Sequence, residues 1–174
     1  MMIDPARMDW PRLVPFAILA ASIGALIIAY TAELAFGIEP CILCLYQRIP
    51  YALAGALAVA ALLAPETWGP RPKVWAVIGA AVAFLAGAEI AFYHVGVEQH
   101  WWRSVASCGV AASDPEPETV EELRHLLTEA RPIKTCDEVD WALFGVSMAT
   151  YNVATSLALA VGSFWGAEKI RRQA

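Results

Sequence analysis

The sequence predicts an all-α membrane protein, a four-transmembrane-helix bundle, and three observations predict it. The 174-residue chain is 59% hydrophobic, with a mean hydropathy of +0.52. Only 17% of its residues are charged, where a soluble domain carries about a quarter. Those charges gather in the first dozen positions, in 65–73, in 97–140 and at the end of the chain, with long uncharged runs between them. A soluble bundle built from such runs would keep too little polar surface to solvate its outside.

Each span follows from counting, since a bilayer core of about 30 Å takes roughly 20 apolar residues in helical form. The first runs over 13–35 and is longer than the 7–15-residue core of a cleavable signal peptide. The second covers 44–64, opening on "CLYQRIPY", and the third covers 74–96. The fourth covers 142–166, "ALFGVSMATYNVATSLALAVGSFWG". Their Ala and Gly content suits close helix packing in lipid. The whole chain reads as a single domain over 1–174, with a long outer loop at 97–140.

Orientation comes from Lys and Arg, which favour the cytoplasmic side of short loops. Arg7 and Arg12 precede the first span, Arg71 and Lys73 sit in the second connection, and Lys169, Arg171 and Arg172 follow the fourth span. The 36–43 connection has no basic residue. The 97–140 loop sets Arg103, Arg124, Arg131 and Lys134 against ten acidic side chains. Both termini are therefore expected in the cytoplasm, and both 36–43 and 97–140 outside.

All four cysteines, Cys41, Cys44, Cys108 and Cys136, fall in those two outer loops or at their edge. An oxidising compartment favours disulfides, and a two-and-two split fits two redox pairs. The first pair forms a C-x-x-C motif at the expected start of the second helix, where unpaired N–H groups and the helix dipole favour an anion. Such a placement lowers a thiol pKa. Arg48 follows Cys44 by four residues and Cys41 by seven, so the three share one helical face. Other readings of the cysteines are a zinc site, which short-spaced motif pairs serve better than the 27-residue gap here, and purely structural disulfides. Haem attachment would need histidine where Leu45 stands.

In the long loop, Trp101 and Trp102 fit an interfacial aromatic belt. Thr119 and Glu122 form a capping-box candidate ahead of a short amphipathic segment with Val120, Leu123 and Leu127 on one stripe. His94, His100 and His125 read as interfacial or loop residues. Glu33 and Glu89 lie near the outer ends of the first and third spans, as functional carboxylates, as partners for Arg48, or simply exposed to headgroups.

"CILCLYQR" at the second span, two further loop cysteines, and "CDEVDW" before the fourth span resemble the DsbB family of bacterial membrane disulfide-forming proteins. The resemblance covers nearly the whole chain. It implies that the protein sits in the bacterial inner membrane with its cysteines periplasmic and reoxidises a soluble thioredoxin-like (DsbA-like) oxidant. Electrons would pass to a quinone, ubiquinone or menaquinone, a route that keeps the periplasm oxidising. It also implies that Cys41 and Cys44 are the quinone-proximal pair, supported by Arg48, and that Cys108 and Cys136 exchange with the partner. Trp141 matches an aromatic near the quinone end of the fourth span. Gln47 stands where some members carry an acidic side chain. No metal and no nucleic acid enter this reading. Two other readings stay open: a quinone-independent thiol carrier or reductase, like the vitamin K epoxide reductases, whose C-x-x-C comes late in the bundle, and a scaffold with structural disulfides.

Overall fold

The computed structural model describes residues 9–102, 119–120, 136, 139 and 141–173. Four long helices account for most of them: α1 (Trp10–Phe36), α2 (Ile42–Leu63), α3 (Arg71–Glu98) and α4 (Met148–Arg172). Pro11 favours the start of α1, where its missing N–H is not needed. Gly37 ends the same helix in the left-handed conformation at φ 64°. A short 3-10 turn, Glu66–Trp68, joins α2 to α3.

The first three helices are each long and apolar enough to cross a membrane. The fourth departs from expectation. The span foreseen at 142–166 opens as a small antiparallel hairpin, β1 (Ala142–Leu143) with β2 (Val146–Ser147), and the helix begins only at Met148. The turn residues Phe144 (φ 53°) and Gly145 (φ 80°) both take positive φ, as a two-residue hairpin with the twist of its strands requires. Ser147 then caps α4 by accepting from the Thr150 N–H at 3.3 Å. α4 is less apolar than its neighbours because Asn152, Thr155, Ser156 and Ser163 interrupt it and Glu168, Lys169, Arg171 and Arg172 close it.

α3 is the central helix, packing on α2 and α4, and α1 lies mainly on α2. The core is made of small residues: Ala54, Ala58, Ala80 and Ala160 are buried, with Phe84 and Tyr51 filling the space between them. Helices come close enough that Gly166 could not carry a Cβ without meeting Val14 of α1 at 2.6 Å. That is the packing expected when lipid, as apolar as any side chain, supplies no drive of its own. The outer surface is correspondingly greasy, with Phe16, Ile28, Leu34, Trp75 and Val161 all exposed, more than a water-facing surface tolerates. The described helices form an all-α bundle of the multi-span membrane type.

The two ends of the bundle differ in chemistry. Arg12 pairs with Glu66 at 2.6 Å, and Trp10 meets Trp165 edge-on at 5.1 Å. This gathers the start of α1, the α2–α3 turn and the end of α4 at one basic end. The opposite end holds Cys41, Cys44 and the polar residues described next. Of the long loop, Trp102 stacks on Tyr93 with ring centroids 5.8 Å apart. Cys108 and the amphipathic segment past Val120 lie outside the described residues.

Candidate functional site: a two-faced cysteine pair

Cys41 is the N-cap of α2, and its sulfur accepts from the Cys44 N–H at 3.4 Å. The two sulfurs are 3.2 Å apart, with the Cys41 thiol donating to Cys44 Sγ. A disulfide would need about 2.05 Å, so this is the dithiol form. The helix terminus does not lower Cys41 as expected. Its thiol is pushed up to about 12, first by the hydrogen bond to Cys44 and then by burial, with His94 pulling the other way. When two thiols share a site, one keeps the proton, and here that one is Cys41.

The pair has two faces. Cys41 is buried in a small apolar cluster with Leu43, Val97 and Cys136. Cys44 also lines a cavity of about 300 Å³ among all four helices, with His94 and Glu98 of α3 on its wall. The cavity wall is apolar along α1 (Ala25, Leu26, Ile28 and Ala29), while Arg48, Glu33 and Trp141 also line it. Thus the fold brings five of the six residues singled out in the sequence to one end of the bundle. Cys108 is the sixth and lies outside the described residues.

Arg48 is not aimed at the sulfurs. Its guanidinium binds Glu33 Oε2 at 2.7 Å and lies 4.6 Å from the centre of the Tyr30 ring. Its charge is thus shared with a carboxylate from α1. Of the two carboxylates noted in the sequence, Glu33 takes the pairing alternative, whereas Glu89 is exposed and does not line the cavity.

His94 is not the interfacial or loop residue expected from the sequence. It is buried, 3.6 Å from Cys41 Sγ through Nε2 and 2.8 Å from Gln47 Nε2 through Nδ1. Glu98 lies one turn further on, its Oε1 3.8 Å from His94 Nε2, and its other oxygen accepts from Ser147 Oγ at 2.6 Å. Sequence reasoning missed this pair because the outer loop was drawn from residue 97, whereas α3 continues through Glu98. The i, i+4 spacing of His94 and Glu98 was the available signal. Gln47 in turn accepts from Asn152 Nδ2 of α4. Asn152 Oδ1 accepts from Tyr51 Oη at 2.6 Å and from Ser156 Oγ at 3.1 Å. Polar groups buried in this way must be paired, and these are. Cys41, Cys44 and His94 place three donor atoms within 4.8 Å of one another, close enough for a soft cation in principle.

Comparison with known proteins fits this arrangement. The family model described as "Disulfide bond formation protein DsbB" matches residues 11–166. The chain belongs to the DsbB family. It is 32% identical over 173 residues to disulfide bond formation protein B of Xanthomonas axonopodis pv. citri, covering 98% of this chain and 97% of that one. It is 30% identical to the protein of the same name from Xylella fastidiosa, over 79% of each chain. An uncharacterized Rickettsia prowazekii protein, RP370, is 25% identical over 92% of this chain and 90% of its own length. No solved structure matches. Membership in the DsbB family makes this a membrane thiol oxidoreductase of the quinone-dependent, disulfide-forming kind.

Proposed function

We propose that the four cysteines form a relay, within one four-helix domain spanning 1–174, that takes electrons from a soluble DsbA-like dithiol and delivers them to quinone beside Cys44. The observation that carries this is the two-faced pair: Cys41 packs with Cys136, while Cys44 opens on the cavity that Arg48 lines. The cysteine end faces the periplasm, and the end carrying Arg12, Lys169, Arg171 and Arg172 faces the cytoplasm, as the basic side chains favour.

The cavity suits a quinone. It has an apolar wall along α1 for a ring and prenyl chain, and polar groups, Arg48 and Glu33, at its cysteine end. A bound quinone supplies a two-electron, two-proton acceptor. Arg48 would hold its carbonyl oxygen, for which the guanidinium must share or leave Glu33. Trp141, at the cavity rim, would border the ring.

The exchange steps balance as thiolate attacks. A partner thiolate attacks Cys108 of the Cys108–Cys136 disulfide and Cys136 leaves. Cys136 attacks Cys41 of the Cys41–Cys44 disulfide and Cys44 leaves as thiolate. The partner's second thiolate displaces Cys108, and the partner departs oxidised. Cys108 then displaces Cys41 from Cys136, restoring the loop disulfide and leaving the Cys41–Cys44 pair reduced. That pair closes again as two electrons and two protons pass to the acceptor. The proton-holding Cys41 and the cavity-facing Cys44 match this last state.

The test is quinone reduction by the purified protein in detergent, driven by a reduced thioredoxin-like partner. Reduction that disappears in Cys44→Ser supports the relay. No reduction by the wild type, with its cysteines still oxidised, returns the protein to a scaffold with structural disulfides. Arg48→Ala should slow quinone reduction while partner exchange continues, and equal loss of both would refute the role given to Arg48.

A further inference from the structure

The buried polar groups around His94 exceed what the relay uses. One line of hydrogen bonds reaches this ring and a second ends on the carboxylate beside it. One runs from Tyr51 and Ser156 to Asn152, then to Gln47, then to His94 Nδ1. The other runs from Ser147 to Glu98, whose second oxygen stands 3.8 Å from His94 Nε2.

Amide side chains give such a line a direction, because each has one end that donates and one that only accepts. Asn152 Oδ1 is placed towards the hydroxyls and its Nδ2 towards Gln47. Gln47 Oε1 receives that donor, so its Nε2 faces His94. His94 Nδ1 must then accept, which leaves the ring proton on Nε2. At that nitrogen, among the described residues, stand acceptors: the Glu98 carboxylate and, once ionised, Cys41 Sγ at 3.6 Å. The two ends agree.

We infer that Asn152 and Gln47 are positioning residues that hold His94 as the neutral Nε2–H tautomer, with that N–H aimed at Cys41. The ring thereby donates to Cys41 sulfur whenever exchange releases it as a thiolate, and does not act as a base towards it. The same protonation counts against a resident metal on Cys41, Cys44 and His94, since a metal would need the Nε2 lone pair. The functional part of this assignment rests on the relay proposed above. The tautomer itself does not.

The test is nitrogen NMR of selectively labelled histidine in the reduced, detergent-solubilised protein, with His94 assigned by its absence in His94→Gln. The wild type should show a pyridine-type Nδ1 and a pyrrole-type Nε2. Asn152→Asp cannot donate to Gln47, so Gln47 must turn round and present its oxygen to the ring. The two nitrogen signals should then exchange types, two side chains away from the substitution. Gln47→Glu, which only accepts, should likewise put a proton on Nδ1 and serves if Asn152→Asp does not fold. Tyr51→Phe keeps the Ser156 donor to Asn152 and should leave the wild-type pattern. Turnover in Asn152→Asp should fall roughly tenfold, the scale of one hydrogen bond to a charged group, and the KM for the partner should hold. A wild-type Nδ1–H ring or imidazolium, or an unchanged pattern in both acidic variants, overturns the assignment whatever the activity. An exchange of tautomer with unaltered turnover keeps the positioning and removes its role in the relay.

Discussion

The two ends of this bundle are held together by different forces. At the basic end, α1 and α4 meet through the absence of side chains: Gly166 admits Val14, and Ala167 and Ile170 close around them. At the cysteine end, α2, α3 and α4 meet through Gln47, His94, Glu98, Ser147 and Asn152, all of them partnered. Shape sets the first contact and is indifferent to chemistry. Direction sets the second, because a hydrogen bond specifies which atom faces which. A protein that must keep two thiols in different environments needs the second kind of contact where they are.

Substitutions at each end should separate these forces. The largest effect is expected from Cys44→Ser, which should reduce quinone turnover to background with no change in thermal stability. A large stability loss would mean the pair is structural. Next comes Gly166→Val at the basic end. Its added Cβ would meet Val14 at 2.6 Å, and overpacking of this kind costs about 1–3 kcal/mol. The melting temperature should fall while the activity of the remaining folded protein holds. If activity per folded molecule fell instead, the two ends would be coupled.

Gln47→Leu tests the polar end in the same terms. It removes the side chain that Asn152 Nδ2 and His94 Nδ1 both bond, a loss of about 1–3 kcal/mol for such buried groups, and here turnover should fall together with stability. Loss of stability alone would reduce the network to packing.

A pH series on the reduced protein distinguishes the two sulfurs. Because the Cys41 thiol is held up to about 12 from 9.0, Cys41 stays protonated through neutral and mildly alkaline pH. Alkylation read by mass spectrometry should therefore mark Cys44 well before Cys41 at pH 8. The raised value also means that Cys41 contributes stability below about pH 9 that is lost as pH climbs towards 12. Equal labelling of both cysteines would refute the asymmetry. The smallest effect is expected from Gly24→Ala on α1, where nothing lies within 4 Å. It should be neutral or stabilise by up to about 1 kcal/mol, and a loss would show that α1 packs on something beyond these helices.

Much of the fold was legible in the sequence because a bilayer imposes a length on every helix. The first three spans appear within three residues of their expected ends: α1 over Trp10–Phe36, α2 over Ile42–Leu63, α3 over Arg71–Glu98. The fourth was drawn from its apolar run and began six residues early, because hydropathy does not distinguish a hairpin of Ala142, Leu143 and Val146 from a helical turn. The C-x-x-C pair, Arg48 and Trp141 were legible as residues.

By itself, then, the sequence determined the three most apolar helices and the cysteine motif, since composition, length and short spacings are local properties of the chain. Only the tertiary structure decided that Arg48 is bound to Glu33, that Cys41 lies in the cluster with Cys136 while Cys44 also lines the cavity, and that His94 is buried against Cys41 and Gln47. Those facts depend on side chains from separate helices, with Asn152 lying more than a hundred positions from Gln47. No spacing along the chain encodes which way a buried hydrogen bond points.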